Sequence, residues 1–258
     1  MENPANSNET GERYASLSLY RGDRMRLLGF PLEIYQVVRD VVESCWPGGV
    51  QREKDQAGLK EIKLRGYPWH GLVPNWCPQD PAASMWLMSR VLERLFNAGW
   101  RLIQRTCLGW ELDDIDVFLF REIDSPRPRE WMAVDISLGR CMLVRAPADI
   151  ARAVSDLFPT QEKIIQPTYY SIGLPCLPDS FKDKSTSLGM RCSFWILKAA
   201  EEHGWSLYTA VKHRSVDSWH LCRETTAPEL ENPFDTTSDN IIPDDEESID
   251  LITPQSTV

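Results

Sequence analysis

The stretch Pro81–Trp100, PAASMWLMSRVLERLFNAGW, sets Met85, Met88, Val91, Leu92, Leu95 and Phe96 at helical spacing and then breaks into Gly99-Trp100. Glycine there suits the left-handed cap that ends a helix, and the indole opens a strand. A second such pair, Gly204-Trp205, follows a helical stretch through His203 in which Phe194, Leu197 and Ala200 share a face. Self-similarity of this kind outranks any single motif as evidence about a fold. The match extends outward from both pairs.

Upstream, Lys60–Gly66 (KEIKLRG) precedes Tyr67-Pro68-Trp69 as Thr168–Gly173 (TYYSIG) precedes Leu174-Pro175-Cys176. Downstream, Asp116–Glu122 (DVFLFRE) answers to Asp217–Glu224 (DSWHLCRE). Further back, RLLGFP ending at Pro31 and MLVRAP ending at Pro147 each close a strand-like run and open a helical one. The offsets drift slowly, from 116 at Pro31/Pro147 through 107 at Gly66/Gly173 and 105 at Gly99/Gly204 to 102 at Arg121/Arg223, as small loop deletions would give.

Each unit reads as strand–strand–helix–strand–helix–strand–strand. Ser16–Tyr20 and Met25–Leu28 flank a tight turn at Arg21-Gly22-Asp23, with a counterpart around Leu138-Gly139. The first helix carries Ile34, Val37, Val38 and Val41 before Pro47-Gly48, and its partner carries Ile150, Val154 and Leu157 before Pro159. The expectation is an α+β body of two pseudo-repeated units, 14–124 and 125–224, with an antiparallel-rich sheet and helices on one face. One continuous sheet and two separate ones fit equally well. The ends, 1–13 and 225–258, are too polar to pack a core and read as disordered.

The 258 residues include 28 Lys or Arg and 38 Asp or Glu, a formal net charge of −10, yet no Lys or Arg follows Arg223 and nine acids follow Glu224. The body is therefore near neutral and the tail is the acidic object, which argues against a nonspecific nucleic-acid surface. The opening residues lack a hydrophobic signal segment, and no apolar run reaches the ~18 residues of a membrane helix. Seven cysteines without a CxxC pair read as reduced thiols.

Catalytic motifs do not appear: the chain has no GxSxG, P-loop, GxGxxG or HExxH. No catalytic residue, metal or cofactor is assigned. Asp113-Asp114-Ile115-Asp116 reads as a solvated turn rather than a cation site, and His213, His220 and Cys222 as an exposed hairpin rather than a zinc site. The paired Trp100 and Trp205 read as plugs of the helix–sheet seam. Tyr67, Trp69, His70 and Trp76, in and beside a Pro-rich loop, face two readings: a recognition surface over 67–81, or a loop covering the edge of the core.

Two short patterns stand in the tail. Asp244–Thr253 (DDEESIDLIT) sets Ile249, Asp250, Leu251 and Ile252 after four acids and resembles a SUMO-interacting motif, in which an aliphatic strand adds to a sheet edge. Phosphorylation of Ser248 would add charge to the same flank. Asn232, Pro233 and Phe234 resemble the NPF tripeptide taken by EH domains.

The GYPW strand end at Gly66–Trp69, the Gly99-Trp100 pair and the DSW strand at Asp217–Trp219 resemble uncharacterised proteins abundant in filamentous fungi, over roughly 25 to 224. The resemblance implies a cytoplasmic or nuclear protein and brings no activity with it. The functional expectation is a non-catalytic interaction module with a partner-binding acidic tail. The alternative is a small-molecule or enzymatic site between the units near 67–81.

Overall fold

Apolar residues at Ala15, Leu17 and Leu19, answered by Met25 and Leu27, build a hairpin of β1 (Tyr14–Tyr20) and β2 (Arg24–Leu28) with one buried face. The computed structural model that contains it describes residues 13–69, 82–106, 114–124, 126–137, 139–175, 182–213 and 216–225. The chain continues through α1 (Leu32–Cys45), β3 (Val50–Gln56), β4 (Leu59–Leu64), α2 (Ala83–Asn97), β5 (Trp100–Thr106) and β6 (Asp114–Glu122). Unit 2 repeats the series as β7 (Arg129–Ser137), β8 (Arg140–Val144), α3 (Ala148–Asp156), β9 (Lys163–Ile165), β10 (Tyr169–Gly173), α4 (Lys182–Glu202), β11 (Ser206–His213) and β12 (Val216–Glu224).

The strands form two antiparallel six-stranded sheets, ordered β3-β4-β2-β1-β6-β5 and β9-β10-β8-β7-β12-β11. Replacing each strand of the first by its partner in the second reproduces the second order throughout. The fold is α+β with pseudo-repeated halves, and each half has its own sheet. Each unit also has one strand more than expected. β3, VQREKDQ, is an exposed edge strand with no apolar period, and β9 has three residues, so neither leaves a hydrophobic signal.

Strand register corrects the alignment of the units. Met25 pairs with Ile62, and its counterpart Cys141 pairs with Ile172; the Leu64 amide donates to the Asp23 carbonyl as the Leu174 amide does to that of Gly139. Ile62 thus corresponds to Ile172 and Leu64 to Leu174, not Gly66 to Gly173. Likewise Leu17 pairs with Phe118 and Val134 with Trp219, which sets Phe118 against Trp219 and shifts the Arg121/Arg223 match by one residue.

Helices cover one face of the first sheet, where α1 and α2 bury Leu17, Leu19, Met25, Leu27, Ile62, Phe118 and Phe120. The second sheet is covered on both faces. Met132, Val134, Cys141, Leu143 and Ile172 meet α3 and α4, while Ala133 and Val144 meet Ala82 and Met85 at the start of α2. The layers therefore run sheet, α1/α2, sheet, α3/α4. The outer face of the first sheet stays polar: Glu61 accepts from Arg24 at 3.1 Å and Arg26 at 2.9 Å, and Arg26 lies 3.5 Å over the Tyr20 ring.

Gly99 ends α2 at φ +87°, and a Cβ there would stand 3.0 Å from the Ile123 carbonyl oxygen. Trp100 and Trp205 behind the two glycines are both buried, one in each core, as seam plugs. Pro31 and Pro147 sit in extended backbone at the N-caps of α1 and α3, one position ahead of the first helical residue. Among the described residues no helix is long and apolar enough to cross a membrane.

Candidate functional site

Of the expected recognition loop, Tyr67 is 40% exposed and Trp69 is 0% exposed. The Trp69 indole Nε1 donates to the Arg24 carbonyl at 3.3 Å and its amide to that of Gly22 at 3.0 Å. Trp69 is thus a member of the first core rather than a surface residue. Its comparison with Cys176 rested on the misplaced Gly66/Gly173 match. His70 and Trp76 lie outside the described residues, as do Asn232, Pro233, Phe234, Ser248, Ile249, Asp250, Leu251 and Ile252.

Described side chains of the two units pack against each other across the seam. Phe96 of α2, Trp131 of β7 and Tyr208 of β11 meet edge to face, with Trp131 and Tyr208 centroids 4.7 Å apart. Glu93 of α2 accepts from Arg145 at 2.6 Å. Asp116 is buried rather than in a solvated turn, accepting from Arg105 Nε and from the Lys212 amide, each at 2.6 Å, while Asp113 and the side chains of Asp114 and Ile115 lie outside the described residues. His220 is 0% exposed and Cys222 is buried on the face turned to unit 1, where Arg129 donates to the Cys222 sulfur at 3.3 Å. The expected exposed hairpin is corrected at His220 and Cys222 by this second layer of packing, while the His213 side chain lies outside the described residues. Among the described residues no three His, Cys, Asp or Glu are grouped to hold a metal ion.

One open feature among the described residues lies elsewhere, between α3 and the edge pair β9–β10. A groove of about 220 Å³ is lined by Ala151, Arg152, Ser155, Lys163, Ile165 and Tyr170, among others. Its origin is visible in the other unit. There Tyr35 and Arg39 project from α1 and both donate to Glu53 of β3, holding that carboxyl below its usual range, while Lys60 lies 5.1 Å from the Tyr35 ring.

The α-helix and strand registers place Ala151 where unit 1 has Tyr35, Ser155 for Arg39, Lys163 for Glu53 and Tyr170 for Lys60. Two long side chains of α1 are short ones on α3, and the carboxylate of β3 is an amine on β9. What unit 1 fills, unit 2 leaves open. Arg152 and Lys163 are exposed and have no ion-pair partner among the described residues, and Ile165 is 74% exposed on the outermost strand. The lining has apolar walls, two cations and no carboxylate, which suits an aliphatic group flanked by negative charge. None of these residues stands out in the sequence, because the signal is an absence of bulk.

One protein-family model, of an uncharacterised domain, matches residues 13–121, the span from β1 to all but the last residue of β6. The chain is similar to that family over unit 1. No curated protein and no solved structure matches the chain.

Proposed function

We propose that the chain is a non-catalytic protein-interaction module, cytoplasmic or nuclear, in which duplication of one unit freed the second copy to bind a peptide. The observation behind this reading is the exchange of Tyr35 and Arg39 for Ala151 and Ser155 at equivalent helix positions, which opens the groove beside β9. An exposed sheet edge offers backbone hydrogen bonds to an added strand, and a groove beside it selects alternate side chains. Arg152 and Lys163 favour acidic flanks. The tail contributes the adaptor's second arm through its NPF and IDLI patterns.

The test is a peptide array probed with the full chain and with Ala151→Tyr, which restores the side chain of unit 1. Peptides with alternating aliphatic residues and acidic flanks are expected to bind the natural chain and to lose about tenfold in affinity with Ala151→Tyr, a change of ~1.4 kcal/mol. An array in which no peptide distinguishes the two proteins overturns the reading.

A further inference from the structure

The groove's requirements match a segment of the same chain. It needs aliphatic residues alternating along an extended strand, with acids beside them to meet Arg152 and Lys163. Asp244–Thr253, DDEESIDLIT, supplies Ile249 and Leu251 in alternation behind Asp244, Asp245, Glu246 and Glu247. Resting on the proposal that the groove takes a peptide, we infer that its resident occupant is this segment, added in cis as a strand along the open edge of β9.

Reach supports the assignment. β12 ends at Glu224 and is four strands from β9 in the sheet order, about 19 Å at the usual strand spacing. The 24 residues between Glu224 and Ile249 can span at most about 80 Å, several times that distance, so the segment reaches the edge. A tether of this length holds the segment at an effective concentration of about a millimolar, which lets a weak contact predominate.

Strand addition turns alternate side chains to one face. Ile249 and Leu251 then face α3 and the apolar walls formed by Ala151, Ile165 and Tyr170, and Asp250 faces away. Ile165 loses its exposure. An outside peptide must displace the tail, so the groove is self-blocked until a partner captures the tail or outcompetes it.

The experiment is hydrogen exchange on the full chain, comparing the natural sequence, Ala151→Tyr, Lys163→Glu and the double variant Ile249→Asp/Leu251→Asp at two protein concentrations tenfold apart. Protection is expected at 160–167 and at 246–254 in the natural chain, unchanged by dilution. The tail variant loses it at 160–167, and both groove variants lose it at 246–254. Lys163→Glu changes an exposed side chain, so it remains informative where Ala151→Tyr disturbs packing.

Equal exchange at 160–167 in the natural chain and the tail variant overturns the inference. Protection that falls on dilution overturns it too, by making a second copy the donor. Adding synthetic DDEESIDLIT to the tail variant separates the two proposals. Binding abolished by Ala151→Tyr in that background keeps the groove as a peptide site even where the intrachain contact fails, and absence of binding removes both.

Discussion

The Leu102 amide of β5 donates to the Tyr208 hydroxyl of β11 at 2.8 Å, a hydrogen bond from the edge of one sheet to the edge of the other. Beside it Tyr208 stacks edge-on against Trp131 and Phe96. One phenol therefore serves both the polar and the apolar side of the contact between units.

Tyr208→Phe keeps the ring and removes the acceptor. A loss of about 1–2 kcal/mol at neutral pH is expected from denaturant unfolding. Burial also pushes the phenol up to about 12, with the Leu102 bond opposing that rise. The folded state prefers the neutral form, so this contribution is complete below the unfolded value of about 10 and is lost as pH climbs from there through about 12. Tyr208→Phe should flatten that part of the alkaline limb; an unchanged limb would assign it to other groups.

Trp69 and Tyr67 stand two residues apart with opposite expected outcomes. Trp69→Ala empties a fully buried indole site in the first core and should cost about 3–5 kcal/mol. Tyr67→Ala acts on an exposed ring and should stay within about 0.5 kcal/mol. Thermal melts of the two variants decide whether this corner is core or surface, and similar melts would contradict the burial of Trp69.

The contrast also marks where sequence reading stops. The Gly-Trp pairs, the helix faces and the hairpin β1–β2 were legible because each carries its own period or its own backbone requirement. β3 and β9 were not, one being a charged edge and the other three residues long. The burial of His220 and Cys222 depends on α2 of the other unit crossing over the second sheet, a long-range fact with no local trace. The groove is harder still, since Ala151 and Ser155 are unremarkable residues until Tyr35 and Arg39 are laid over them in register.

That overlay can be run in reverse. Tyr35→Ala gives α1 the small residue that α3 has at Ala151, deletes the hydrogen bond to Glu53 and opens a matching void under β3. A cost of about 2–4 kcal/mol is expected, whereas Tyr35→Phe, which keeps the volume, should cost only about 0.5–1.5 kcal/mol. Urea unfolding of the pair measures the volume part by difference. Equal costs would mean that the hydroxyl, and not the bulk, separates the filled unit from the open one.

Among the described residues the last layer, α4, has no sheet beyond it. Counting back from Gly99 and Gly204, Met190 and Phe194 stand where α2 has Met85 and Ser89, the face that α2 buries against the second sheet. On α4 these two side chains are 54% and 62% exposed, beside Trp195, and form an apolar strip of the kind monomers rarely leave uncovered. Phe194→Lys should therefore leave the melting transition within about 0.5 kcal/mol of the natural chain. Ile196→Lys, two residues on but buried in the second core, should unfold unit 2 outright. Should Phe194→Lys destabilise the chain as Ile196→Lys does, α4 is covered in solution and the strip is part of the core.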